Sequence, residues 1–141
     1  MFDIVQIVKK QQVLALQPLL EEYTRTMGKE DKNDNLLISI FTNFSIPDTL
    51  LLVAMKNDEP VGFLWARPVS QFDEIYLRIS EIYARQGMMG MRLFEKAMEW
   101  ADEHGFYAVK GLVRAEKAAA MKRLFKMKEE AVLISVEVGH G

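Results

Sequence analysis

The sequence predicts a mixed α/β (α+β) domain in which helices flank a mostly antiparallel sheet, with elements in the order β-α-α-β-β-β-α-β-α-β. Three observations predict it. Short apolar runs separated by turn residues form a meander through the middle of the chain. Apolar residues recur at helical spacing in separate stretches on either side of that meander. A glycine-containing loop then leads from the last meander strand into the strongest amphipathic stretch, so the strands flanking that helix are expected to run parallel.

Residues 2–8 alternate loosely between apolar and polar and read as a first strand. Leu16, Leu19, Leu20 and Tyr23 follow at helical spacing, giving a helix over 13–23 with Pro18 in its first turns, where proline is best tolerated. Residues 27–34 are polar and charged and read as a loop. Leu36, Leu37, Ile40, Phe41 and Phe44 give a second helix, with Pro47 beyond its end. The apolar runs 50–55 and 61–69 flank Lys56-Asn57-Asp58-Glu59-Pro60, which is turn chemistry, and together read as a hairpin. A second turn at 70–73 leads into a strand over 74–84, with Ile75, Leu77 and Ile79 on one face. Its alternation slips near Ser80, which predicts a bulge that re-aims the side chains at the strand's end.

The next helix spans 89–104, with Leu93, Phe94, Ala97, Met98 and Ala101 as its apolar stripe and Gly105 where a C′ glycine belongs. A strand over 106–114, a helix over 116–128 with Ala118, Met121, Leu124 and Phe125 inward, and a strand over 131–138 complete the order. No repeat or interdomain linker interrupts it, and 141 residues suit a single domain able to bury its core without disulfides or metals.

Composition narrows the function. With no cysteine, the chain has no disulfide framework, thiol nucleophile or cysteine-ligated zinc. Its two histidines, His104 and His140, lie far apart, so no metal site is expected. A net charge of −2 and a pI near 5.7 lack the basic excess of a nucleic-acid binder. Neither a signal peptide nor an apolar run of about 20 residues is present, so a cytoplasmic protein with no membrane span is expected.

The segment Arg85-Gln86-Gly87-Met88-Met89-Gly90-Met91 joins a strand to a helix N-terminus. Unpaired N–H groups and a partial positive charge make such a terminus receptive to phosphate, and glycine lets a ligand approach the backbone. The segment and the order of elements together resemble the GNAT acyl-CoA N-acyltransferases, which carry Gln/Arg-x-x-Gly-x-Gly/Ala at this place. Here the pattern is Arg85-x-x-Met88-x-Gly90, with Gly87 one position early.

The resemblance implies a GNAT fold and an N-acetyltransferase that moves an acetyl group from acetyl-CoA to a primary amine of a small molecule or protein. It implies that the segment from Arg85 to Met91 holds the cofactor, with the backbone of Gln86, Gly87, Met88, Met89, Gly90 and Met91 cradling the pyrophosphate, and that the pantetheine arm lies along Ile82, Tyr83 and Ala84. It places a glutamate base on the preceding strand, where Glu81 is nearer the expected thioester than Glu74. The family's tyrosine acid, in a Leu-Tyr pair on the last helix, corresponds to Leu124-Phe125, so Tyr83 or water takes that role. Arg92 or a lysine of the basic last helix would meet the 3′-phosphate of CoA. Met88 and Phe125 also raise an alternative: a GNAT-fold protein with weak or lost catalysis, serving as a CoA-binding or structural module. The first two helices and their loop, with Tyr23, Phe41, Phe44 and Trp65 as candidate lining, would shape the acceptor site. The apolar final strand offers an edge on which a homodimer would pair.

Overall fold

A computed structural model describes residues 1–28, 33–44 and 49–111, with only the backbone described at 33 and 34. All of them belong to the first of two compact units, Met1–Gly111 and Leu112–Gly141. The expected last helix and last strand lie outside the described residues, as do residues 112–114 of the expected strand over 106–114.

Among the described residues, five strands form one sheet in sequence order: β1 (Asp3–Gln6), β2 (Leu50–Lys56), β3 (Glu59–Gln71), β4 (Glu74–Ala84) and β5 (Ala108–Gly111). The first four pair antiparallel, and β5 runs parallel to β4 with Tyr76 opposite Ala108 and Ile79 opposite Gly111. The crossover helix α3 (Gly87–Glu103) supplies the long connection that a parallel pair needs. Helices α1 (Gln17–Thr26) and α2 (Asn33–Asn43) lie between β1 and β2 in sequence.

The hairpin between β2 and β3 closes on Asn57 and Asp58, both at positive φ (53° and 62°). Short polar side chains tolerate this region, and a turn with both central residues there matches the twist of the flanking strands. The second hairpin also closes on two positive-φ residues, Phe72 and Asp73 (52° and 64°), although an exposed phenylalanine rarely sits there.

Both faces of the sheet are covered, which explains the continuous apolar run of β2. On one face, Leu51, Val53, Phe63 and Trp65 pack with Val13, Leu16, Leu19, Leu20 and Ile40. On the other, Leu50, Leu52, Ala54, Leu64, Ala66 and Leu77 pack with Met89, Leu93, Ala97 and Ala101 of α3. Each fully buried leucine contributes about 1.5–3 kcal/mol of burial.

Two expectations are corrected. The first helix is not continuous over 13–23. Residues Lys10–Leu16 form a 3-10 segment, and α1 begins at Gln17 with Pro18 in its first two positions. Proline has no N–H to bond the carbonyl four residues back and its ring clashes there, so a regular α-helix restarts at it. Ile75, Leu77 and Ile79 share one face as expected, with Leu77 buried and Ile75 44% exposed. In α3, Met89 takes a fully buried place in the stripe, while Met98 is only half-buried. Gly105 follows α3 at φ +75°, as a C′ glycine should. No described helix is long and apolar enough to cross a membrane.

Candidate active site

The site begins with the irregularity at Ser80. β3 and β4 pair from Gly62↔Ala84 to Trp65↔Glu81 and resume at Ala66↔Ile79, leaving Ser80 as the extra residue of a bulge. Residues directly opposite one another share a sheet face. Phe63 and Trp65 belong to the face packed against the 3-10 segment, α1 and α2, so their partners Tyr83 and Glu81 belong there too. Without the extra residue, Glu81 would follow Leu77 and Ile79 onto the α3 face, since a one-residue slip exchanges the faces.

On the α1 face, Glu81 and Tyr83 meet Glu22 and Tyr23 in crossed pairs. The Tyr23 hydroxyl donates to Glu81 Oε2. The Tyr83 hydroxyl donates to Glu22 Oε2 at 2.7 Å. The two tyrosine rings lie 5.4 Å apart between these bonds, and Tyr23 also meets Phe63 edge to face. Arg85 completes the tie: its Nε is 3.2 and 3.1 Å from the two Glu22 oxygens, and its Nη2 is 3.1 Å from Glu22 and 3.4 Å from Glu59.

The charges follow from this geometry. The Arg85 hydrogen bond, opposed by partial burial and aided by the Tyr83 hydroxyl, holds the Glu22 carboxyl below its ordinary pKa. Burial, with the bond to Glu22 next, pushes the Tyr83 phenol above its ordinary value. Glu22 is thus held as the anion and Tyr83 as the neutral phenol at neutral pH.

The loop after β4 enters α3 directly. Gln86 is extended, α3 starts at Gly87, and the Met89 and Gly90 amides bond back to the Gln86 carbonyl at 3.1 and 3.4 Å. The Gly87 and Met88 amides precede this ladder, where a helix has no internal acceptor to offer. A Cβ at Gly87 would meet nothing within 4 Å, and one at Gly90 would lie 3.9 Å from Ala84 Cβ. Neither glycine is therefore demanded by the protein's own packing; both keep the backbone open to a ligand. Met88, at the position of the missing motif glycine, turns its side chain outward at 68% exposure, while Met89 is buried. Bare amides, the positive helix end and the absence of side chains at 87 and 90 fit a pyrophosphate.

The expected site residues thus fall into two groups. Arg85, Gln86, Gly87, Met88, Met89, Gly90 and Met91 form the loop and first turn. The Arg85 guanidinium is engaged by Glu22 and Glu59, and its amide donates to the Val61 carbonyl at 3.1 Å, so Arg85 ties the strand end in place rather than offering a donor to a phosphate. Ile82 and Ala84 turn to the α3 face, and Glu81 and Tyr83 to the α1 face. Among the described residues, β4 pairs with β5 only up to Ile79, so residues 81–84 are paired with β3 alone. Glu74 sits at the far end of β4, opposite Gln71. Tyr23, Phe41, Phe44 and Trp65 all belong to the core cluster under α1 and α2. Among the described residues, no three Asp, Glu or His side chains gather where a metal ion would bind. Leu124, Phe125 and the basic residues of the expected last helix lie outside the described residues.

Sequence reasoning missed Glu22 and the role of Tyr23. Neither belongs to a local motif. The only trace is that Glu22-Tyr23 on a helix and Glu81-x-Tyr83 on a strand are matched in chemistry and spacing. The buried Trp65 indole N–H, beside this network, has no acceptor among the described residues. A buried donor left so costs about 1–3 kcal/mol.

Comparison with known proteins agrees with this architecture. The family model described as "Acetyltransferase (GNAT) family" matches residues 14–128. Solved structures match over nearly the whole chain. An aminoglycoside acetyltransferase from an uncultured soil metagenomic sample superposes with a TM-score of 0.80 at 18% identity, covering 99% of each chain. A ribosomal-protein-alanine N-acetyltransferase from Brucella melitensis biovar Abortus 2308 gives 0.71 at 15% identity, covering 100% of each. A predicted acetyltransferase from Clostridium acetobutylicum, solved with acetyl-CoA, gives 0.77 at 9% identity, covering 97% of this chain and 96% of that one. A search of curated proteins found no match.

Proposed function

The chain belongs to the GNAT acetyltransferase family, and we propose that it transfers an acetyl group from acetyl-CoA to a primary amine. The observation that carries this reading is the bulge at Ser80. It turns Glu81 and Tyr83 toward α1 while the same strand runs on into a helix start that fits a pyrophosphate.

When bound, acetyl-CoA supplies a thioester whose C–S bond breaks, with its electron pair passing to sulfur, as the amine nitrogen bonds to the carbonyl carbon. The amides of Gly87 and Met88, with the open backbone at Gly90, hold the phosphates. Ile82, Tyr83 and Ala84, on a strand stretch paired with β3 alone among the described residues, run beside the pantetheine arm. Glu81 takes the proton that the amine must lose to attack, and Tyr23 fixes its carboxylate by a hydrogen bond. Tyr83 keeps its proton at neutral pH, the form a donor to the departing thiolate needs. Solvent is the other source from which the thiolate can take its proton. Glu22, anchored by Arg85, holds the Tyr83 hydroxyl in place.

The test is release of CoA thiol from acetyl-CoA against a panel of primary amines. Glu81→Gln is expected to lower kcat by roughly 10²–10⁴-fold, and Tyr83→Phe by less. Full activity in Glu81→Gln would remove Glu81 from the mechanism. Thiol release with no amine in the panel, alongside intact acetyl-CoA binding, would favour a CoA-binding module without catalysis.

A further inference from the structure

A second feature shares the face of Glu81. Arg67 on β3 stands directly opposite Arg78 on β4, and Arg78 is in register with Lys110 on β5. Like charges directly opposite each other on neighbouring strands repel. Among the described residues, neither arginine has a carboxylate within 4.0 Å. The arginines, with Pro68, Val69 and the bulge residue Ser80, line an open depression of about 340 Å³. The Arg67 guanidinium lies 5.6 Å over the ring of Trp65, which holds it in place from below.

Position gives this depression its meaning. Trp65 and Arg67 are two residues apart on β3 and share a face; Glu81 is opposite Trp65 and Arg78 opposite Arg67. The arginine pair therefore lies two strand residues, roughly 7 Å, from Glu81 along the sheet. The two guanidiniums supply donors only, and the Ser80 hydroxyl adds another. Their complement is a group rich in acceptors and negatively charged.

We propose that the Arg67–Arg78 pair is an anion subsite for the acetyl acceptor, so that the substrate is a small amine carrying a phosphate or carboxylate a short linker away from its nitrogen. The proposal rests on the acetyltransferase reading for the amine's role, but not for the anion's binding. An anion here would neutralise two cations that the fold otherwise forces together. It would also orient the nitrogen toward Glu81, because a bidentate guanidinium contact fixes direction as well as position.

The experiment is calorimetric titration of the protein without acetyl-CoA, using O-phosphoethanolamine, β-alanine and ethanolamine as probes. At least one of the two anionic amines is expected to bind ten or more times as tightly as ethanolamine, and the tighter one identifies phosphate or carboxylate as the recognised group. Arg67→Gln combined with Arg78→Gln is expected to abolish that advantage. Both side chains are exposed and mutually repelling, so the double variant should melt no lower than the wild type. Equal affinity for all three probes overturns the proposal, as does an anionic advantage that survives the double substitution. The two readings fail separately: binding without thiol release would sink the acetyltransferase reading alone, and acetylation indifferent to acceptor charge would sink the anion subsite alone.

Discussion

Gly62 has no room for a side chain. A Cβ there would lie 3.1 Å from the Tyr83 carbonyl oxygen and 3.1 Å from Ala84 Cβ. These contacts are tighter than a side chain normally accepts, and the obstructing atoms include backbone that cannot rotate away. Gly62→Ala is expected to cost about 1–3 kcal/mol, the usual range for overpacking, and to raise KM for acetyl-CoA by moving residues 83–84; urea unfolding and steady-state kinetics read the two effects. An unchanged KM would detach this stretch from cofactor binding. Gly87 and Gly90 contrast with it, because nothing in the protein excludes a side chain at either. A sequence shows all three simply as glycine. The loop pair was legible from its place before a helix, whereas the reason for Gly62 exists only once two strands are paired. Glu22 was illegible for the same reason: its partners Tyr83 and Arg85 lie 61 and 63 residues away.

Among the elements, β4 decides the site. Its alternation slips visibly in the sequence, and the bulge falls at Ser80 as that slip predicts. The tie to α1 did not show, since a helix's apolar period says which side faces the core but not which polar residues border a neighbouring strand. Deleting Ser80 should restore regular pairing and carry Glu81 and Tyr83 to the α3 face. The expected result is loss of acetyl transfer with retained secondary structure by circular dichroism; retained activity would contradict the role given to the bulge. The α1–β4 tie also predicts a pH response. Glu22 is held below its ordinary pKa, so its bond contributes stability above about pH 4.3, the ordinary glutamate value, and loses it as pH falls further through the lowered value. Tyr83 is held above its ordinary value, so its contribution is present below about pH 10 and is lost as pH rises through the raised value. Melting temperature followed across both limits should fall at each more steeply in the wild type than in Glu22→Gln. Identical profiles would show that the tie adds nothing to the fold.

For the whole molecule, element order and hydrophobic period were enough to read the fold, because each covered face of the sheet imposes its own spacing on the chain. The two-sided burial of β2, the parallel strand after α3 and the glycine after that helix all follow from local sequence. What joins them into a site is the approach of α1 to the end of β4 and the start of α3. The central claim is that this start holds the phosphates of acetyl-CoA, and it is tested most directly by thermal melting. Acetyl-CoA at 100 times its dissociation constant stabilises by about 2.7 kcal/mol, which raises the melting temperature by roughly 5–10 °C for a domain of this size. Gly90→Glu places a carboxylate where the protein itself has room. Glutamate is a better helix former than glycine and suits a helix's first turn, so the unliganded variant should melt at or above the wild type. The account predicts a clear acetyl-CoA shift in the wild type and none in Gly90→Glu. No shift in the wild type, or an equal shift in both, would contradict it.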